Sequence, residues 1–188
     1  MFKQLMVGAA LTAALASGAN ASSITVGSGD SFSVNFNGVV EGTEQAGLTA
    51  SATFNIGSVN YNAGTDTTTW SLSIELANTS SSPITASRVS VLGFNTDPNI
   101  VSGATTSGIF DTVSSGNMPQ VGRLEVCLTD VNCAGGGGTG VALGSVASLM
   151  ATLTFDGDIG QVTFDNFAVH PDGATGAAGN GLCLVADL

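Results

Sequence analysis

Residues 69–77 read TWSLSIELA, and this stretch predicts the fold of the chain. Its apolar residues, from Trp70 to Leu76, occupy the even positions, and its polar residues, from Thr69 to Glu75, occupy the odd ones. Successive side chains of a β-strand point to opposite faces of the sheet, so a period of two predicts a strand with one buried and one solvated face. Such one-sided burial is typical of antiparallel sheets.

Similar strand patterns recur along the chain and are separated by turn-forming clusters. They are SFSVNFNGVV (31–40), LTASATFNIGSVNYN (48–62), SRVSVLGFN (87–95), RLEVCLTD (123–130), ASLMATLTFDGD (147–158) and QVTFDNFAV (161–169). We expect the last two to form a hairpin across the connection DGDIG. About eight short strands without interposed helices predict an all-β domain, namely a single antiparallel β-sandwich of the jelly-roll kind.

The first 21 residues predict a cleaved secretory signal peptide. Lys3 precedes an apolar stretch from Leu5 to Leu15, and Ala19-Asn20-Ala21 supplies the small residues that a signal peptidase accepts. This stretch of about 11 apolar residues is too short to cross a bilayer, which requires about 20. We therefore expect cleavage after Ala21 and export of the remaining chain.

The organisation expected after cleavage is a β-sandwich domain over residues 22–170 followed by a Gly/Ala-rich tail over residues 171–188. A precursor of 188 residues is long enough for one domain with a substantial core and short for two. We find no second transmembrane pattern after the signal peptide. The expected location is extracellular or on the outer cell surface, with the periplasm as the alternative.

The charge balance limits the partners of the exported chain. Two arginines face 14 acidic residues once residues 1–21 are removed, so the net charge is −12. A chain so poor in cations cannot neutralise phosphates, which excludes nucleic acid and disfavours anionic lipid as a partner. Because 43% of all residues are hydrophobic and only 9% are charged, we expect a folded core under a surface of Ser, Thr, Asn and Gly.

Residues 127–138 read CLTDVNCAGGGG and raise the question of how Cys127 and Cys133 are used. In an oxidising compartment such a pair becomes a disulfide, and closing so short a loop contributes about 2 kcal/mol in the chain-entropy model. A redox pair would have two intervening residues, and a zinc site would need four ligands, so both alternatives fit less well. We predict a Cys127–Cys133 disulfide followed by a flexible glycine connector, with Cys183 either a free thiol or part of an intermolecular bridge.

Candidate catalytic groups are few. There is no GxSxG nucleophile elbow, and the one histidine, His170, stands where a strand is expected to end, which predicts a solvated side chain. Glycoside hydrolysis needs only two carboxylic acids, so a small secreted hydrolase that uses one of Glu41, Glu75 or Glu125 is the second alternative. Sugar clefts normally carry aromatic platforms, whereas Trp70 falls on the core face of its strand. We expect no enzymatic activity.

Three aspartates, Asp156, Asp158 and Asp165, lie close together in the stretch DGDIGQVTFD. Calcium prefers carboxylate and carbonyl oxygens on loops, so these residues are candidate calcium ligands. A calcium-dependent carbohydrate-binding module is accordingly the first alternative function. The EF-hand pattern is absent, and DGD turns are commonly selected for backbone geometry. Apart from this calcium ion we expect no cofactor.

The signal peptide and the Ser/Thr/Gly-rich body are joined by two longer stretches, VCLTDVNCAGGGGTGVALG (126–144) and LTFDGDIGQVTFDNFAVHPDGATGAAGNG (153–181). In these features the chain resembles the bacterial surface proteins called cistern proteins, which belong to the PEP-CTERM group sorted by exosortase. The resemblance implies a Gram-negative envelope or extracellular-matrix protein associated with exopolysaccharide. It supplies no catalytic residues.

The chain departs from that group at its C-terminus. Members of the group end in a Pro-Glu-Pro-type motif, a membrane-spanning helix and a basic cluster, whereas this sequence ends in GLCLVADL. We expect either a released protein or a truncated or divergent member. The function expected from the sequence is that of a non-enzymatic structural or interaction protein of the cell surface or extracellular matrix, which self-associates or holds polysaccharide.

Overall fold

A computed structural model of the protein describes residues 23–40, 43–175 and 183–187, and the predicted signal peptide lies outside this part. The described residues form twelve β-strands and include no helix that could cross a membrane. The strands are β1 (Ile24–Gly27), β2 (Ser31–Val40), β3 (Thr43–Asn62), β4 (Thr67–Asn78), β5 (Ala86–Asp97), β6 (Ser102–Gly108), β7 (Thr112–Met118), β8 (Gly122–Thr129), β9 (Val141–Ala142), β10 (Val146–Asp156), β11 (Gln161–Thr175) and β12 (Cys183–Asp187).

The strands form one antiparallel sheet. Its hydrogen-bonded order is β6-β10-β4-β3-β2-β12-β11-β5-β8-β7, with β1 paired to β11 and β9 paired to β5. The order begins and ends with β6 and β7, which follow one another in the chain and contact each other. The sheet is therefore nearly closed and barrel-like, and its inward faces enclose the core.

The strand count exceeds the prediction of about eight, because several strands lack the pattern by which a half-buried strand is recognised. β6 reads SGATTSG and has no large apolar residue, and β9 is only two residues long. Strand pairing also continues past residue 170. β11 extends to Thr175, and β12 pairs with both β2 and β11 and buries Leu184.

The predicted hairpin between residues 147–158 and 161–169 is wrong. β10 lies between β4 and β6, whereas β11 lies between β5 and β12, so the DGDIG connection crosses from one part of the sheet to another. Two residues of β4 hold this connection. The Thr68 hydroxyl donates to the Gly157 carbonyl at 2.5 Å, and the Trp70 indole donates to the Ile159 carbonyl at 3.2 Å. These contacts hold the connection against β4, the strand with which β10 pairs.

The centre of the core is a cluster of five phenylalanine rings, contributed by β2, β3, β5 and β11. Phe54 on β3 is fully buried; its ring stacks on Phe32 with centroids 4.7 Å apart and meets Phe94 edge-on at 5.6 Å. Phe164 and Phe167 complete the cluster. Each well-oriented ring pair adds about 0.5–1.5 kcal/mol beyond the burial of its area, so these contacts join opposite sides of the sheet across the core.

Candidate functional site

An open polar groove of about 490 Å³ lies where β5, β7, β8 and β11 meet. Asparagine, serine, threonine, arginine and carboxylate side chains line it: Asn95, Thr96, Asn99, Ser115, Arg123, Glu125 and Asp165. A second depression of about 240 Å³ adjoins the groove and shares Ser115 and Glu125 with it.

Glu125, on β8, is fully engaged in organising the wall of the groove. Its carboxylate accepts hydrogen bonds from the backbone N–H and the hydroxyl of Thr96, at 2.9 and 2.8 Å, and from the backbone N–H of Ile100 at 2.6 Å. The Glu125 N–H in turn donates to the Asn95 side-chain oxygen at 2.9 Å. Hydrogen bonds to a charged acceptor are the stronger ones, so Glu125 fixes both the loop that follows β5 and the orientation of Asn95.

Two β-bulges aim further side chains at the groove. The pairing of β11 with β5 shifts register between Asp165 and Ala168, and Asn166 within this bulge has a φ of 49°. The pairing of β7 with β8 shifts between Ser114 and Gly116. A bulge interrupts the alternation of a strand and redirects the side chains beside it. Asp165 and Ser115 therefore converge on one groove from different strands.

Arg123 provides the positive charge of the groove. It is exposed and makes no salt bridge with any described residue. The other arginine, Arg88, lies 3.6 Å from the Asp172 carboxylate. Of the two arginines, one is thus held in an ion pair and the other lines a groove.

A second polar centre lies under the glycine loop, which we define as residues 135–138. Arg88 donates to the carbonyls of Gly137 and Gly138, at 2.9 and 3.2 Å, and the Gly136 N–H donates to the Asp172 carboxylate at 2.9 Å. Gly135, Gly136 and Gly137 all have positive φ values, which only glycine adopts without strain. The predicted flexible connector is therefore a loop with defined contacts to β5 and β11.

The predicted Cys127–Cys133 disulfide is present, with Cα atoms 5.4 Å apart. Both cysteines are buried, in a small core that also contains Val91, Met118 and Leu124. The Asn132 side-chain oxygen accepts from the Ala134 N–H at 2.8 Å, which turns the chain towards the glycine loop. The disulfide thus fixes the start of the segment that covers Arg88 and Asp172.

His170 is buried, with 8% of its surface exposed, so the prediction of a solvated side chain is wrong. β11 does not end there, and a Cβ at Gly135 would press against the imidazole ring, so the glycine loop covers it. The ring Nδ1 lies 3.3 Å from an Asp172 oxygen but makes no hydrogen bond. Burial lowers the pKa of His170, and the opposing effect of the Asp172 charge does not compensate.

Burial alone would raise the pKa of the Asp172 carboxyl. Hydrogen bonding by Ser90 and by the Gly136 N–H, together with the charges of His170 and Arg88, instead holds this pKa below its usual range. Asp172 is therefore the anion around which the second polar centre is built. It connects β11 to the glycine loop and to β5.

The three predicted calcium ligands lie in different surroundings. Asp156 ends β10 opposite Thr67, and the charge of Asp158 acts on Tyr61, whose pKa is raised chiefly by its hydrogen bond to Asp66. Asp165 lines the polar groove. In the described ranges we find no group of three or more His, Cys, Asp or Glu residues that could hold a metal ion.

The predicted catalytic acids also lie apart. Glu75 is exposed on β4, where it lies opposite Thr53 on β3 and Ser148 on β10. Glu125 accepts hydrogen bonds from the three donors described above. Glu41 lies outside the described residues. Cys183 begins β12, but its side chain is outside the described set.

Sequence reasoning missed Arg88, Arg123 and Asp172 as members of polar centres. A signal was present, since Arg88 and Arg123 are the only arginines of the sequence. Comparison of the chain with protein-family models, with curated proteins and with solved structures yields no match.

Proposed function

We propose that the chain is an exported, non-enzymatic structural or interaction protein of the bacterial cell surface or exopolysaccharide matrix, built on a single antiparallel, sandwich-like β domain. The observation that carries the proposal is that the side chains best suited to catalysis make contacts that hold the fold together. Glu125 holds the wall of the groove, and His170 and Asp172 hold the glycine loop in place. General acid–base catalysis needs a group that is free to reach a substrate proton, and these groups are engaged in the fold.

The outer faces of the strands support the same proposal. Hydroxyl groups pair across neighbouring strands, as in Thr25 with Thr163 at 2.7 Å and Ser33 with Thr53 at 2.9 Å. Thr85 pairs with Thr175 at 2.9 Å. Such a surface presents many uncharged donors and acceptors and few charges, which suits contact with a hydrated, hydroxyl-rich polymer.

Cell fractionation combined with co-sedimentation tests the proposal. Cells that express the chain natively are separated into cytosol, periplasm, envelope and medium, and the recovered protein is measured by intact mass. We expect a chain that begins at Ser22 in the exported fractions and that pellets with isolated exopolysaccharide. Full-length protein in the cytosol that retains residues 1–21 would contradict export. Turnover on a panel of glycosides and esters that is lost in Glu75→Gln would contradict the non-enzymatic part.

A further inference from the structure

We infer that the polar groove binds a neutral polyhydroxylated ligand, such as the hexose units of an uncharged glycan. The inference rests on the proposed function, because it assumes that the exported chain meets such polymers. It adds a defined site, lined by Asn95, Asn99, Ser115, Arg123 and Asp165 above a floor that Glu125 organises. Its volume of about 490 Å³ falls in the range of small-ligand sites, about 300–1,000 Å³.

The chemistry of the lining matches sugar hydroxyls. Each hydroxyl both donates and accepts, so its site must offer both kinds of partner. Arg123 offers only donors, Asp165 offers only acceptors, and Asn99 and Ser115 offer both. None of the described residues that line the groove has a large apolar side chain, which disfavours an apolar ligand.

The charges of the groove and of the whole chain select an uncharged ligand. The guanidinium of Arg123 lies in the groove without a salt bridge and repels a metal cation, and no described cluster of carboxylates is suited to hold one. Asp165 and Glu125 repel anions locally, and a net charge of −12 repels polyanions at longer range. A neutral ligand avoids both penalties and still uses the donors of Arg123 and the acceptors of Asp165.

The groove is also preorganised. Glu125 fixes the loop from Thr96 to Ile100 and the side chain of Asn95, and the two bulges fix the backbone beside Ser115 and Asp165. A rigid site loses less conformational entropy on binding. Because the described lining residues include no aromatic ring, we expect weak binding, with a dissociation constant on the order of 1 mM per site. The repeated units of a polymer would strengthen this binding by multivalency.

Titration by NMR tests the inference. The exported chain is titrated to about 20 mM with neutral trisaccharides of glucose, galactose and mannose, a range chosen to exceed the expected dissociation constant. We expect at least one trisaccharide to shift backbone resonances of β8 and of the bulges at Ser115 and Asp165. Asp165→Asn and Arg123→Gln should each weaken binding about tenfold, the loss of roughly one charge-assisted hydrogen bond.

The matched control is Glu75→Gln, which removes the same charge as Asp165→Asn from an exposed position on β4 outside the groove. It should leave binding unchanged, and the melting temperatures of all three variants should equal that of the wild type. The inference is overturned if no neutral trisaccharide shifts these resonances, if the shifts survive both groove variants, or if an oligogalacturonate binds more tightly at the same residues. Fractionation and co-sedimentation remain separate readouts, so failure here leaves the proposed function to be decided by them.

Discussion

The β4–β10 and β5–β11 ladders belong to the same sheet but differ in how regularly their strands pair. The β4–β10 ladder pairs eleven positions in unbroken register, from Val146 opposite Ala77 to Asp156 opposite Thr67. The β5–β11 ladder pairs nine positions and shifts register three times. Both polar centres lie on the second ladder, since Asp165, His170 and Asp172 each border one of its shifts. The chemistry of the molecule is thus concentrated where strand regularity is broken.

The physical reason is the period of a strand. In an unbroken ladder every second side chain faces the core, so most of its polar side chains lie on the outside, with Thr68 and Asn78 buried at the two ends of β4. A register shift inserts or removes a residue locally, and a polar side chain can then be aimed at a neighbouring strand or loop. Mutations in the two ladders should consequently lower the stability of the fold for different reasons. In the first ladder the cause is lost packing, and in the second it is lost polar contacts.

The largest effect is expected from Trp70→Ala in the regular ladder. Trp70 is fully buried and packs against Phe155 with ring centroids 6.0 Å apart. Its removal should lower the free energy of unfolding by about 3–5 kcal/mol, because a large core cavity remains. Trp70→Phe, the control, keeps much of the packing but loses the hydrogen bond to Ile159 and should cost less. Denaturant unfolding measures both variants, and equal losses would contradict a packing origin.

Gly135→Ala, in the glycine loop that covers His170 of the bulged ladder, should have the next largest effect. The added Cβ meets the His170 ring and the residue has a φ of 88°, so we expect a loss of about 3 kcal/mol from strain and overpacking together. Gly136→Ala is the matched control, because its φ is 99° but a Cβ there meets nothing within 4 Å. It should lose only about 1 kcal/mol. Equal losses in thermal unfolding of the two variants would show that the contact between His170 and the loop has no energetic weight.

The alternation within the strands of the regular ladder could be predicted from the sequence, but the pairing of β10 with β4 could not. The alternation in TWSLSIELA correctly predicts that Trp70, Leu72, Ile74 and Leu76 are buried, because periodicity is a local property. The hairpin prediction for β10 and β11 failed, because the choice of partner depends on contacts such as that of Thr68 with Gly157, 89 residues apart.

The candidate site shows the same limit. The Cys127–Cys133 disulfide could be predicted, since its members are 6 residues apart in the chain. The pairing of Arg88 with Asp172 joins residues on different strands, and Asp165 meets Arg123 and Glu125 in the groove only because β11, β5 and β8 lie side by side. No local pattern encodes either of these, so the two polar centres emerge only when the strands are assembled.

Removing the disulfide should have a smaller effect than Gly135→Ala. Replacement of both Cys127 and Cys133 by alanine removes a constraint on a loop closed over 6 residues, which is worth about 2 kcal/mol in the chain-entropy model. We expect the loss to be local as well, with faster amide hydrogen exchange over residues 130–138 and unchanged exchange in β4 and β10. Accelerated exchange throughout both ladders would mean that the bridge supports the whole fold.

The last difference between the ladders is their response to acid. The described residues of the β4–β10 ladder include no histidine, whereas His170 on β11 has a pKa below its ordinary value of 6.5 because it is buried. The folded state therefore binds fewer protons at this site than the unfolded state. The stability that the site contributes is complete above about pH 6.5 and is lost as the pH falls from there through the folded-state pKa.

Asp172 and Arg88 are the charged groups that face His170 from the second polar centre, and they titrate outside this window. The pKa of Asp172 is lowered from 3.8, so its own contribution is lost only at still lower pH, and arginine stays charged. His170→Gln should flatten the dependence of the unfolding free energy on pH as the pH falls below about 6.5, and it should leave the decline below the ordinary pKa of aspartate in place. Chemical denaturation at a series of pH values measures this. If the slope of the unfolding free energy against pH is the same in His170→Gln as in the wild type, another group causes the acid sensitivity and His170 does not contribute to it.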